Sequence, residues 1–325
     1  MPAPERVPSR PVTAPSGSAA SVDTTALLTE GELTVRGHIP EASNAVLHCT
    51  VVHQGRRAAC VYKPVAGERP LWDFPDGTLA QREVAAHEVC AALGWELVPP
   101  TVLREGPYGT GMVQLWIDQV DDEPDEPDEP EGAGAGEAVR GAGTAAAPTA
   151  GAAVAADAPG LVPLGRLLAL ADAERPAPAG WRPIGLAEVP GGGTALLVHA
   201  DDPRLRRLAV LDAVINNSDR KGGHLLTTAD GRLYGIDHGV TFHTEDKLRT
   251  LLWGWAGEPL TEEALAALGR LAAALGEEAP LATRLAALVT PAELTALRAR
   301  VAALLSSGTH PVPGGEWPAI PWPPV

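Results

Sequence analysis

The sequence predicts an α+β protein in two lobes, an antiparallel-sheet lobe first and a mainly helical lobe after it. Three observations carry that expectation. Strand-type runs with a Gly-containing turn crowd residues 31–64. A low-complexity segment at 119–160, acidic and then Ala/Gly-rich, interrupts the chain. Beyond it, residues 205–243 read as a helix, a polar loop and a hairpin, and the remainder carries helix caps ahead of Ala/Leu repeats. At 325 residues the chain is long enough for two cores. The expected divisions are a disordered tail over 1–23, a first lobe over 24–118, the linker at 119–160 and a second lobe over 161–325.

Charge and composition exclude several classes. The formal net charge is −16, which argues against a nucleic-acid partner. Nine acids and no base fall within 118–131, leaving −7 for everything else, so the folded part is only mildly acidic. No run of 18 apolar residues predicts a membrane span, and the N-terminus lacks a signal-peptide pattern. Cys49, Cys60 and Cys90 are odd in number and lack a C-x-x-C spacing, which reads as reduced, buried thiols in a cytoplasmic protein.

Taken in order, residues 1–23 are Pro-, Ser- and Ala-rich without periodicity. Three antiparallel strands are expected around 33–36, 45–52 and 58–64, the last two joined by His53-Gln-Gly-Arg. A helix follows, with Thr78 and Gln81 as a capping box and Gly94 beyond its end. Two more strands are expected at 98–103 and 111–117. In the second lobe, 161–171 looks helical, 195–199 looks like a strand, and 247–255 is apolar with Trp253 and Trp255. Thr261 and Thr290 cap two further helices, and Trp317 and Trp322 lie in a Pro-rich tail that is expected to dock on the lobe.

The richest stretch is 205–243. Leu205, Leu208, Asp212 and Ile215 share one helical face, and Asn216-Asn217-Ser218 ends the helix. Asp230-Gly231 predicts a two-residue hairpin turn. That turn pairs Leu226 with Gly235 and His224 with Asp237, setting an imidazole beside a carboxylate as a place for a metal ion. Lysine is rare, with only Lys63, Lys221 and Lys247 against 22 arginines, so each survivor points to a need for a compact ammonium.

N217-S-D-R-K-G-G-H224 and I236-D-H-G239 resemble the catalytic and metal-binding core of the phosphatidylinositol 3-/4-kinase superfamily, in particular an actinobacterial branch. The resemblance implies a protein-kinase-like fold with ATP and Mg²⁺ or Mn²⁺ between the lobes, and phosphoryl transfer to a hydroxyl-bearing protein, small molecule or lipid. It implies that Asp219 receives or orients the acceptor proton, that Asp237 and His224 bind metal, and that Arg220 braces the loop. His224 departs from the family's Asn. Lys63, in V-Y-K-P, matches the phosphate-contacting lysine. Glu83, in an R-E-x-A-A-like segment, is its expected partner, with Glu88 in reserve. Ser43 lies in the loop expected to cover the phosphates, and Gln114, Leu115 and Trp116 line the adenine side. Three other classes stay open: a nucleotide-binding pseudokinase, a metal-dependent hydrolase using His224, Asp237, His238 and His243, and a non-enzymatic interaction protein. The residues after Asp237 form no polybasic run, which favours a protein or soluble acceptor over an anionic lipid.

Overall fold

The computed structural model describes residues 18–39, 44–119, 161–188, 192–314 and 318–324. A helix α1 (Ser18–Glu30) comes first, six residues inside the stretch expected to be a tail. Strands β1 (Glu32–His38), β2 (Leu47–His53), β3 (Arg56–Pro64), β4 (Thr101–Gly106) and β5 (Gly109–Leu115) form one antiparallel sheet in the order β1-β2-β3-β5-β4. Side chains alternate across a strand, so its two faces serve different neighbours. Cys49, Val51, Cys60, Tyr62 and Val113 pack under Leu27 and Leu28 of α1. Met112 turns the other way, against Ala80 and Val84 of α2 (Leu79–Leu93). Lys63 is directly opposite Met112 in the β3–β5 register and therefore shares that second face. The three cysteines are free and buried, and burial pushes the Cys49 thiol to about 11 and those of Cys60 and Cys90 to about 12. They behave as small hydrophobes.

Helix α2 begins at Thr78, whose hydroxyl accepts from the Gln81 amide, and ends at Gly94 with φ 77°. Its inner face joins the core of the second lobe. Ala85, Ala86, Val89, Cys90 and Leu93 pack in one cluster with Leu211, Leu268 and Leu271. The buried Arg82–Glu293 pair and the Glu88–Arg284 pair bind α2 to that lobe as well.

The second lobe carries more sheet than expected. Strands β6 (Val162–Pro163), β7 (Leu168–Asp172), β8 (Trp181–Glu188) and β9 (Thr194–Ala200) form an antiparallel sheet in the order β6-β7-β9-β8. The stretch 161–171, expected as a helix, is instead the short strand β6 and the start of β7, joined by a bend over 164–167. Its leucines do recur at helical spacing, but Pro163 and Gly165 stand inside it, and Gly165 takes φ 130°, outside any helix. Helix α3 (Pro203–Ile215) follows, capped by Asp202, then the hairpin β10 (Leu225–Thr227) and β11 (Leu233–Gly235). Helices α4 (Glu262–Ala274), α5 (Pro280–Ala286) and α6 (Pro291–Ser307) close the lobe. The Thr290/Glu293 capping box forms as expected. No helix among the described residues is long and apolar enough to cross a membrane.

Candidate active site

Helix α3 ends where its sequence stops favouring helix. Asn216 adopts a left-handed conformation and its side chain holds the 243–247 segment, donating to the carbonyls of His243 and Glu245 and accepting from the Lys247 amide. The Asn217 amide group donates to Asp212 and its oxygen accepts from the Asp219 N–H. These contacts project Asp219 from a rigid corner. Arg220 turns inward. It is fully buried, pairs with the equally buried Asp212 at 3.0 Å, and donates to the Ile236 carbonyl at 2.8 Å. Arg220 thus ties α3 to the hairpin and does not reach the cleft.

Asp219 itself lies between two cations. Arg249 Nη2 is 2.9 Å from one carboxylate oxygen and Lys221 Nζ is 3.1 Å from the other. Lys221 belongs to the loop singled out in the sequence; Arg249 was not foreseen, because nothing local marks one arginine among 22.

The hairpin register differs from expectation. Leu226 pairs with Tyr234, and Leu225 with Gly235, a slip of one residue. The turn takes three residues, Ala229-Asp230-Gly231, with Gly231 at φ 79° and the Thr228 N–H donating to Arg232 O. His224 therefore leaves the ladder and sits in a short 3₁₀ turn, Gly222–His224. The imidazole and carboxylate meet all the same, His224 Nε2 lying 3.5 Å from Asp237 Oδ2. They do so because Asp237 adopts φ 60°, which turns its side chain back.

Three elements converge on Lys63. Its Nζ is 2.6 Å from Glu83 Oε1 on α2 and 3.0 Å from Asp237 Oδ1 after β11. Glu83 is 1% exposed and its second oxygen accepts from the His238 N–H. Burial raises the Glu83 carboxyl, opposed by the Lys63 ammonium. The Lys63 charge beside Asp237 holds that carboxyl well below the usual carboxylate range. Burial works against the Lys63 ammonium, yet the two carboxylates raise its pKa. Glu88 pairs with Arg284 and is not part of this group. Gly239 completes the D-H-G turn where a Cβ would come 3.2 Å from the Leu79 Cβ at the start of α2.

The adenine-side residues divide. Gln114 is buried and its amide donates to Thr101, so it offers no side chain to a ligand. Leu115 packs on the α1 side of the sheet. Trp116, 38% exposed, meets the His48 ring edge-on at 5.0 Å on the face that carries Lys63. His48 was not anticipated. Ser43 lies outside the described residues.

Burial lowers the His224 pKa, opposed by Asp237 and helped by the Arg220 cation, which favours the neutral ring. A neutral imidazole beside an ionised, half-exposed carboxylate suits a divalent metal. The larger hydrolase-type set does not assemble. His243 packs against Phe74, and His238 is buried against Arg220. Among the described residues no group of three or more His, Cys, Asp or Glu side chains gathers to hold a metal.

No family model matches the sequence. Protein Rv2133c of Mycobacterium tuberculosis (strain ATCC 25618 / H37Rv) is 47% identical over 301 residues, spanning 93% of this chain and 95% of the relative. The chain belongs to the Rv2133c family. Among solved structures, a crystal structure of the Golgi casein kinase with Mn/ADP bound has 12% identity and a TM-score of 0.47 over 90% of this chain and 76% of that one. A second Golgi casein kinase structure has 12% identity and a TM-score of 0.42 over 90% and 75%.

Proposed function

We propose that this protein is an ATP-dependent phosphotransferase of the phosphatidylinositol 3-/4-kinase-like class, acting on a hydroxyl of a protein or soluble small molecule. The observation that supports this most is the Lys63 junction, where β3, α2 and the turn after β11 each contribute one charge within 3.0 Å. Such a lysine, kept cationic and aimed by a buried glutamate, is suited to oxygen atoms of nucleotide phosphates. Asp237 and His224 would hold Mg²⁺ or Mn²⁺, which when bound neutralises phosphate charge. Two protein donors leave the remaining positions to phosphate oxygens and water.

The acceptor hydroxyl attacks the γ-phosphorus, the bond to the β–γ bridging oxygen breaks, and ADP carries away the electron pair. Asp219 orients the hydroxyl and receives its proton. Each of its oxygens already accepts from one cation, yet a carboxylate oxygen has a second lone pair for the acceptor. Arg220 and Asp212 keep this corner rigid. A second reading, nucleotide binding without transfer, is favoured by His224 in place of an amide ligand.

The test is thermal stabilisation by MgATP and MnATP, followed by transfer of labelled phosphate to candidate acceptors. Ligand at about 100 times Kd stabilises by roughly 2.7 kcal/mol, a readily measured shift in Tm. No shift with either metal nucleotide at millimolar concentration overturns the reading. A shift without transfer to any acceptor selects the second one.

A further inference from the structure

We propose that the Pro-rich segment 318–324 is a strap that holds Asp219 in position. The proposal rests on the phosphotransfer reading, in which Asp219 meets the acceptor. Residues 217–220 and 249–251 run side by side: the Arg249 N–H donates to Asn217 O, the Arg220 N–H to Arg249 O, and the Leu251 N–H to Arg220 O. Arg249 then reaches across to the Ser218 carbonyl and to Asp219. The place of Asp219 is therefore set by two irregular segments that hold each other side by side.

The strap ties both of them. Ala319 O accepts from the Thr250 N–H at 3.0 Å and from Trp253 Nε1 at 2.8 Å. Pro324 O accepts from the Gly222 N–H at 2.8 Å. Thr250 follows Arg249, and Gly222 follows Lys221, so the two anchors adjoin the two cations that grip Asp219. Between the anchors, Pro321 is buried and Ile320 packs on the main core, within 3.1 Å of where a Cβ at Gly185 would be. Proline suits this role. It fixes φ and has no N–H, so the segment accepts at its carbonyls and loses little entropy on docking. Trp322, 70% exposed, contributes nothing to the grip.

The experiment compares the full chain, a chain ending at Pro318, and Gly222→Pro. The last removes the N–H and adds a pyrrolidine ring at a place that accepts one: Gly222 opens a 3₁₀ turn, and Lys221 before it has φ −99° and ψ 167°, which tolerate a following proline. Amide hydrogen exchange is read over 216–224 and 247–253, with β2, β3 and α6 as internal references. Truncation should speed exchange in both segments about tenfold or more and leave the references unchanged; Gly222→Pro should do so over 216–224. ATP affinity should stay within about twofold while turnover falls about tenfold, and a peptide of residues 319–325 added in trans should restore turnover. Unchanged exchange in both variants overturns the strap, and so does an equal rise everywhere, which would mean general stabilisation. If the full chain neither binds nor turns over ATP, the phosphotransfer reading fails, while exchange still decides whether the strap grips the Asp219 corner.

Discussion

At the scale of single residues, Lys63 is the pivot because its ammonium answers two carboxylates from different elements. Lys63→Met should weaken ATP binding at least about tenfold, or about 1.4 kcal/mol, while the far-UV spectrum stays native. Equal ATP affinity by calorimetry would remove Lys63 from the site. Asp219→Asn should do the opposite, keeping nucleotide affinity and abolishing transfer, since its partners are Arg249 and Lys221 and, in the proposed reaction, the acceptor. Transfer at the wild-type rate would free Asp219 of that role. His224 tests the metal. An imidazole nitrogen favours Mn²⁺ over Mg²⁺ more than an amide oxygen does. His224→Asn should therefore shift preference towards Mg²⁺. Metal affinity of the wild type should fall with acid below the ordinary histidine range, because burial lowers the His224 pKa and only the neutral ring binds. The Asn variant should lack that limb. Identical metal ratios and pH profiles in both would exclude His224 as a ligand.

At the scale of elements, α2 is the connector between sheet and second lobe. It presents Glu83 to Lys63 on one side and buries Arg82 against Glu293 on another. Breaking a buried pair from one side leaves an uncompensated charge and costs about 3–5 kcal/mol. Arg82→Met should lower stability by about that amount in urea titrations, and a loss below about 1 kcal/mol would mean that the pair does not hold α2. The hairpin makes a different point. Its Asp-Gly pair forms the end of a three-residue loop instead of a two-residue turn, which shifts β10 against β11 by one position. Period-two logic should have sent every side chain to the wrong face. The site survives because His224 and Asp237 lie outside the ladder, where a 3₁₀ turn and a positive φ reset both.

Across the whole molecule, one apolar cluster joins α2, the second sheet, α3 and helices α4–α6. His199 and His310 lie against its Trp255, and His238 is buried beside Arg220. Burial pulls His199 to about 4 and His310 to about 4, and pushes His238 well below its usual value. Unfolded histidine titrates near about 6.5. Between about pH 6.5 and 4 the unfolded chain therefore binds protons that the native chain refuses, so stability present above that window is lost as pH falls. Each such histidine contributes a slope of about 1.4 kcal/mol per pH unit. Urea midpoints across this range should fall steeply with acid. Replacing His199 by Gln should flatten the slope by one such increment, and a slope that stays the same would show that His199 is not buried neutral.

Much of this was legible in the residues themselves. The strands of the first sheet, the caps of α2 and α6 and the end of α3 at Asn216 all follow from short-range signals: period, turn residues and capping spacing; Glu83 as the partner of Lys63 came from the family resemblance of its segment. These signals act within a few residues, so the chain carries them locally. Other features depended on partners far away in sequence. Leu168 and Leu170 form strand because β9 stands ready to pair with them. Gln114 turns from the cleft because Thr101 accepts its amide. Arg249 reaches Asp219 only because Asn216 and Ala319 hold its segment beside the loop. The chemistry of the site was written in residue types and spacing, and its geometry was decided by tertiary contacts, because hydrogen bonds between distant segments leave no periodic mark on either one.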